Sequence, residues 1–459
     1  MMRSTPQQLV DHALETSGSD QCVVIVSDST SANLRWANNT LTTNGVMHSV
    51  DVTVIAFQGS GNASVSGTAA SLEQVTALVE AADRAAVLAE QAEDRAELVT
   101  GDAAADWSEG PVDTSITVFD SFASVLGDVF GQADAEGRIL YGFVSHEIST
   151  TYVGTSTGLR LRHVQPTGHY GCTGKNTALT NSAWVGGGTR DFADVDAARM
   201  AGDLATRLAW GERRIDLPAG RYDTVLPPSA VADLMIDAYW SAGARTADDG
   251  QSVFSKAGGG TRIGEDLVKP GVHLFSDPSY AGLECAPFVM AGGSSETSSV
   301  YDNGLPLGRT EWIDDGRLAA LLQTRHTAGI TGQPTTPAID NLVLTVDGAL
   351  GSDLDLVADL DDGLLLTCMW YIREVDPQTM LLTGLTRDGV YKVEGGEIVG
   401  AVNNFRYNES PIDLLRRFTH AGATVPSFSR EWGEDYFSRT ATPALRIPDF
   451  NMSSVSQAL

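Results

Sequence analysis

The stretch that decides the fold is residues 221–243, RYDTVLPPSAVADLMIDAYWSAG. A short apolar strand runs into two prolines and then a helix, and Ser229 is the predicted N-terminal cap because its side-chain oxygen can accept hydrogen bonds from the first free N–H groups. Asp233 and Asp237 lie four residues apart and are interpreted as solvated helix acids, with a functional carboxylate pair as the alternative. The residues at i, i+3, i+4 and i+7 form one apolar face, namely Val231, Leu234, Met235 and Ala238.

The rest of the chain predicts an α+β protein in four regions. Residues 1–92 read as a helix, several strands and a second helix capped by Ser71. Residues 93–113 form an acidic, weakly apolar connector, and residues 114–221 a middle α+β region with helices at 119–133 and 191–210. Residues 222–459 alternate apolar runs with DG and GG turns, which predicts a large, mostly antiparallel and barrel-like β domain.

The charge balance excludes some functions. The 459 residues include 59 acidic and 30 basic side chains, for a formal net charge of −29. A field of that sign repels nucleic-acid backbones and anionic membranes, so we expect neither as a direct partner. The sequence shows no apolar run long enough to span a membrane and no apolar leader near the N-terminus, which predicts a cytoplasmic protein.

Two features that resemble ligand sets are interpreted as structural. Residues 353–362, DLDLVADLDD, lack the glycine and closing glutamate of a helix–loop–helix calcium site and are expected to form a solvated acidic face. The cysteines are far apart and form no CxxC pair, so burial as small apolar residues is expected. They are Cys22, Cys172, Cys285 and Cys368.

Two histidine motifs are also weak. His146 and Glu147 begin like a zinc-protease motif, but no second histidine follows at the required spacing and the segment reads as a strand. His163, His169 and Cys172 are metal-capable residues within ten positions. Their spacing fits no structural zinc pattern, and the neighbouring glycines predict a surface or interdomain loop; whether these three residues bind a metal is left open.

The central strand–helix stretch resembles that of the TldD/PmbA (TldE) metalloprotease family. Catalytic members of that family carry HExxxH on this helix, with two zinc-binding histidines and a glutamate general base. Aligned on that pattern, the three positions are Ile236, Asp237 and Ser241. The family's late metal-binding cysteine also has no counterpart in residues 421–439. The resemblance therefore implies no catalytic residue, no metal site and no cofactor in this chain.

Further family motifs occur in the same order from about residue 222 to residue 449. They include Ser276-Asp277-Pro278 for a DDP motif, and the stretches 252–260, 300–322, 375–402 and 442–447. The chain departs from the family pattern at Asn303-Gly304, at Met380-Leu381 and in residues 427–439. The N-terminal helix, strands and second helix are also similar to the family's first domain.

The resemblance implies a PmbA/TldE-type subunit. Such a chain would pair with a separate zinc-bearing TldD-type subunit, in a heterodimer or higher oligomer, and the pair would degrade or process unfolded or extended peptides. This chain would give structure and substrate access, while zinc in the partner would polarise the scissile carbonyl and activate water. The alternative is a non-enzymatic protein-binding modulator that acts as a homo-oligomer.

Overall fold

The structure is a computed structural model that describes residues 4–433 and 439–456. Its N-terminal part is built on one antiparallel sheet with the strand order β3-β2-β1-β4-β5-β6. Because β1 pairs with both β2 and β4, strands of the predicted first and middle regions share this sheet. Numbered in chain order, the strands are β1 (Gln21–Ala37), β2 (Thr40–Gln58), β3 (Gly61–Thr68), β4 (Arg138–Thr155), β5 (Arg160–Asn176) and β6 (Ser182–Thr189).

Four helices cover one face of this first sheet. Strand β1 alternates, and its side chains at even positions meet two successive cores, one with α1 and α2 and one with α3 and α4. Ser71 caps α2 as predicted, accepting a hydrogen bond from the Gln74 N–H at 3.3 Å. The helices are α1 (Pro6–Thr16), α2 (Leu72–Leu88), α3 (Asp120–Ala135) and α4 (Ala197–Trp210).

Helix α4 begins later than the acidic run suggested. The prediction started it at residue 191, but Asp196 is the N-cap, and its carboxylate accepts hydrogen bonds from the N–H groups of Ala198 and Arg199. Phe192 has a φ of 63°, which no helix admits, so the residues before the cap form a turn. The 93–113 connector contains no helix. Its first part packs through Leu98 on the opposite face of the first sheet, and its last part lies on the helix-covered face.

The C-terminal part contains two further sheets. The second sheet has the order β11-β10-β9-β12-β21-β20, and the third has the order β14-β15-β18-β22-β8-β13-β16-β17-β7, with β19 paired to β22. The second comprises β9 (Val272–Ser276), β10 (Thr310–Asp314), β11 (Arg317–Leu318), β12 (Leu342–Val346), β20 (Val425–Ser427) and β21 (Thr440–Thr442). The third comprises β7 (Arg214–Ile215), β8 (Gly220–Leu226), β13 (Asp362–Leu366), β14 (Met369–Asp376), β15 (Leu381–Thr386), β16 (Val390–Glu394), β17 (Glu397–Val402), β18 (Phe405–Glu409), β19 (His420–Ala421) and β22 (Leu445–Val455).

The fold class is α+β, as predicted, with a β-rich C-terminal part. Most strand pairs are antiparallel, although β12 with β21, β13 with β8, and β17 with β7 are parallel. The described strands form open sheets and no closed barrel, so the barrel-like part of the prediction is wrong. Within residues 4–433 and 439–456, no helix is long and apolar enough to cross a membrane.

Helix α5 (Pro228–Trp240) lies between the second and third sheets. Its side chains pack against strands of both sheets, so nearly every position is buried and the expected single apolar face is wrong. Proline at the first helical position starts α5 at Pro228 with Pro227 as N-cap, and Ser229 makes no capping hydrogen bond. The remaining helices are α6 (Ala244–Asp248), α7 (Arg325–Thr331), α8 (Asp353–Ala358) and α9 (Pro411–Arg417).

Candidate functional site

The three positions aligned with HExxxH lie at the C-terminal half of α5. Ile236 is fully buried in the core between the two sheets. Asp237 is half-buried, and burial and the nearby Glu374 carboxylate raise its pKa to about 6, with Arg373 acting in the opposite direction. Ser241 ends the helix, and its Oγ donates to Glu374 Oε2 at 3.3 Å. These positions therefore present one carboxylate and one neutral hydroxyl.

Asp233 is the polar residue that the sequence interpretation placed wrongly. It is fully buried, not solvated. Its Oδ1 accepts hydrogen bonds from Ser429 Oγ and, at 2.9 Å, from the Glu431 N–H. Its Oδ2 is buried without a hydrogen-bond partner in the structure. Burial raises the pKa of Asp233 to about 7, although the two hydrogen bonds lower it.

We call residues 427–433 the bracing segment, because they hold α5 from outside. Trp432 donates its Nε1–H to the Asp233 carbonyl at 3.1 Å and packs against Trp240 with ring centroids 5.2 Å apart. Glu431 Oε1 accepts the Ile372 N–H at 3.1 Å, which ties the segment to β14. The bracing segment belongs to the 421–439 stretch in which the family's cysteine is expected; residues 434–438 lie outside the described residues.

Zinc sites in proteins combine at least three histidine, cysteine or carboxylate ligands around one ion. Among the described residues, no three such ligand atoms converge around α5. The buried Ile236 side chain offers no donor, and the surrounding contacts are apolar packing and hydrogen bonds to Asp233. The two acids of α5 therefore have different environments. Asp233 accepts hydrogen bonds from the bracing segment, whereas Asp237 lies beside the Glu374 carboxylate.

A cleft of about 770 Å³ opens beside the N-terminus of α5. It is lined by β6, by β20, by α4 and by the Pro227–Pro228–Ser229 turn. Strand β6 is the last strand of the first sheet and β20 the last strand of the second, so two sheet edges border one cleft. Ser427 and Phe428 of the bracing segment also line it, so that segment contacts both the cleft and α5.

Charged side chains join the two parts of the chain at this cleft. Arg190 Nη1 lies 3.0 Å from Glu284 Oε2, and Arg439 donates to Thr167 Oγ1 at 3.2 Å. Gln165 donates to the Glu284 carbonyl at 3.2 Å. The first sheet is therefore held against the C-terminal part along the cleft wall, which gives the two sheet edges a fixed separation.

The predicted loop around His163, His169 and Cys172 is wrong, because all three residues lie in β5. Buried Cys172 points into the core with α3 and α4, whereas residues 163 and 169 occupy the other face of the strand. His163 Nε2 lies 3.0 Å from Gln165 Oε1 and burial lowers the pKa of the imidazole, while the His169 ring stacks on Phe428. The three side chains do not converge on one ion.

The other predicted features lie where the sequence interpretation put them. His146 lies in β4, buried, where Nε2–H donates to the Arg190 carbonyl at 2.8 Å and Nδ1 accepts from Thr114 Oγ1 at 2.7 Å. Burial lowers the pKa of this imidazole. The acids of residues 353–362 are mostly exposed around the short helix α8, and Asp355 is paired with the cap Ser352. All four cysteines are buried and free, as predicted.

Solved structures share the whole fold at low sequence identity. TldE from Thermococcus kodakarensis superposes with a TM-score of 0.74 at 13% identity, covering 97% of this chain and 99% of that one. A proposed DNA gyrase modulator from Thermotoga maritima superposes with a TM-score of 0.74 at 15% identity, covering 97% of this chain and 99% of that one. Another from Bacteroides thetaiotaomicron gives 0.72 at 14% identity, with 98% of both chains covered. A sequence search of curated proteins finds no match.

Family models identify two parts of the sequence. Residues 22–89 match domain 1 of the PmbA/TldA metallopeptidases, which here comprises β1 without its first residue, β2, β3 and α2. Residues 219–454 match the C-terminal domain of the same family, and this match covers more than half of the chain. That stretch includes α5, the bracing segment, the second sheet and the third sheet apart from β7. The chain therefore belongs to the PmbA/TldA metallopeptidase family.

Proposed function

We propose that this chain is a non-catalytic, PmbA/TldE-type subunit of a two-chain zinc metalloprotease. The proposal rests on the residues that α5 carries at the family's zinc-binding positions. Ile236 occupies the position of the first zinc-binding histidine, and its side chain is fully buried between two sheets. Ser241 occupies the position of the second histidine, and its hydroxyl donates a hydrogen bond to Glu374. Residues at the family's metal-binding positions do not fit a zinc ion, so no catalytic step is assigned to this chain.

The catalytic zinc would then belong to a TldD-type partner subunit. When bound there, zinc polarises a scissile carbonyl and activates water. This chain would contribute structure and substrate access, which is consistent with a bracing segment that closes over α5 and leaves the cleft open on its other side. The complex is proposed to work in the cytoplasm.

The substrate class we propose is an extended or unfolded peptide. Edge strands carry unpaired N–H and C=O groups that can pair with an added strand, and β6 and β20 both present such edges to the cleft. Recognition through the backbone suits a protease that accepts many sequences. Hydrogen exchange should slow in residues 182–189 and 425–427 when an unfolded peptide is added to the complex, and not in β11, the opposite edge of the second sheet.

The decisive experiment uses this chain alone and mixed with a TldD-type subunit from the same source. We expect a complex of both chains that cleaves an unfolded polypeptide, and no cleavage by this chain alone. Replacing the glutamate of the partner's HExxxH motif should abolish cleavage. Asp237→Asn in this chain should leave the cleavage rate within about twofold, because the proposal gives Asp237 no contact with the transition state that the substitution could remove.

Proteolysis by this chain alone, lost in Asp237→Asn, would refute the proposal and return Asp237 to a catalytic role. A chain that binds no TldD-type subunit and forms only homo-oligomers would instead support the modulator alternative. Complex formation is read by particle mass and cleavage by product mass. Neither readout depends on how much metal the isolated chain carries.

A further inference from the structure

The helix-covered face of β1 contains a polar break. Even-numbered side chains before it belong to the core with α1 and α2, and those after it to the core with α3 and α4. Between the two cores lie Asp28 and Thr30, 6% and 5% exposed. A buried carboxylate requires compensating partners, and a local break in an apolar pattern points to a functional or structural device.

Two further side chains reach Asp28 from different parts of the chain. His48, on the neighbouring strand β2, places Nε2 2.6 Å from Asp28 Oδ1. Asp113 comes from the end of the 93–113 connector, and its Oδ1 accepts a hydrogen bond from Thr30 Oγ1 at 2.8 Å. One ligand atom from each of Asp28, His48 and Asp113 lies within 4.8 Å of the other two. Among the described residues, this is the one such group of three.

The connector is fixed on both sides of Asp113. The Val112 N–H donates to Thr150 Oγ1 at 3.0 Å, and Thr114 Oγ1 bonds to His146 Nδ1 at 2.7 Å. Because both neighbours are anchored to β4, the Asp113 carboxylate is held over β1. Thr30 then orients that carboxylate through its hydroxyl, the role that outer-shell residues play in metal sites.

We propose that Asp28, His48 and Asp113 bind a divalent transition-metal ion, with Zn²⁺ as the best match. Ligand atoms around one such ion lie roughly 3 to 3.6 Å apart when each bond is about 2.0–2.2 Å, a spacing that small side-chain adjustments reach from the observed arrangement. Two carboxylates this close repel each other, and a cation removes the repulsion. The imidazole favours zinc, iron, copper or nickel over magnesium and calcium.

The ion would join the connector to the first sheet at the boundary between its two helix pairs. Three ligands from the chain leave room for water, but none of the three lines the cleft beside α5, so the role we assign to the ion is structural. The site is separate from α5 and does not depend on the proposed protease partner. It would revise the expectation that this chain carries no metal of its own.

The test is a Zn²⁺ titration of the chain alone after chelator treatment, by calorimetry, with Co²⁺ absorption as a report on the ligands. We expect one ion per chain and a rise in melting temperature on binding. His48→Ala and Asp113→Asn should each weaken Zn²⁺ binding at least about tenfold. Loss of an outer-shell residue alone typically weakens metal binding by about that factor, and these two residues are proposed as direct ligands. Both side chains are exposed, and circular dichroism will show that the variants fold.

His273→Ala is the matched control. His273 also lies beside two aspartates, but Nδ1 contacts Asp314 at 3.0 Å while Nε2 contacts Asp347 at 3.5 Å. Opposite ring nitrogens cannot bind one ion together, so this variant should bind Zn²⁺ like the wild type. A wild-type chain without a stoichiometric site, or equal affinity in His48→Ala and Asp113→Asn, would overturn the proposal.

Discussion

Replacing Asp233 by asparagine should make the stability of the C-terminal part much less sensitive to pH. In the folded chain the pKa of Asp233 is about 7, compared with the ordinary value of 3.8, because the carboxyl group is fully buried. Asparagine keeps an oxygen that can accept hydrogen bonds from Ser429 and Glu431, and it does not ionise. The amide nitrogen would take the place of Oδ2, which has no hydrogen-bond partner in the structure.

The sign follows from which state keeps the proton. Between about pH 4 and pH 7 the folded chain holds a proton on Asp233 that the unfolded chain has lost, so the free energy of unfolding falls as the pH rises through this range and is level above it. At about 1.4 kcal/mol per pH unit, the full effect is about 4 kcal/mol. The stability of Asp233→Asn relative to the wild type should therefore increase by up to that amount.

Urea unfolding at a series of pH values between about 5 and 8 measures this difference. Asp237→Asn is the matched control, since burial and Glu374 raise the pKa of Asp237 only to about 6. Its difference from the wild type should stop changing near pH 6, while that of Asp233→Asn continues to change up to about pH 7. Parallel stability curves for the wild type and Asp233→Asn would refute the assignment of a neutral, buried Asp233.

Three other substitutions or treatments test the packing. Gly142→Ala should lower the free energy of unfolding by about 1–3 kcal/mol, because its Cβ would lie 2.1 Å from the Trp36 ring. Arg325→Ala should lower the free energy of unfolding by about 3–5 kcal/mol. Arg325 Nε lies 2.7 Å from the Asp302 carboxylate, which is only 2% exposed, and the substitution would leave that buried charge without its partner. Urea unfolding measures both variants, and Arg245→Ala, at an exposed ion pair, is the control with a much smaller expected effect. Thiol reagents should label no cysteine of the native chain and all of them in urea, as counted by mass, because burial raises the thiol pKa of Cys22, Cys172, Cys285 and Cys368.

Features of the fold that depend on neighbouring residues could be predicted from the sequence. Ser71 caps α2 because a cap acts on the N–H groups of the next turn, which no distant contact alters. The predicted cap at Ser229 fails for an equally local reason: Pro228 is already suited to the first helical position. The order of strands and helices follows from such signals, whereas the pairing of β1 with β4 joins residues more than a hundred positions apart.

The glycines of β5 show where the sequence signal was ambiguous. Gly168 and Gly174 suggested a loop, but in the structure they let side chains approach the strand. An added Cβ would lie 3.1 Å from Phe192 at Gly168 and 3.1 Å from Leu208 at Gly174. Glycine in a strand can mark close approach as well as a turn, and only the position of the packing partner decides between them.

The burial of Asp233 could not be read from helical spacing either. Periodicity places it on a face of α5 but does not say what covers that face, and the cover comes from the bracing segment almost 200 residues later. The same holds for Asp28, His48 and Asp113, which come together only when β2 pairs with β1 and the connector crosses them. Sites assembled from distant segments need the topology first.

The residue at position 236 determines whether α5 stabilises the core or binds a metal. Burying an isoleucine side chain there contributes about 1.5–3 kcal/mol, and the side chain is fully enclosed between two sheets. A zinc-binding histidine at the same position would need an ion and an open coordination site, or it would remain a buried polar ring without partners. One helix therefore cannot serve both purposes at this position. In this chain position 236 holds an isoleucine that packs in the core. We therefore propose that the zinc, and the chemistry that depends on it, belong to a second subunit.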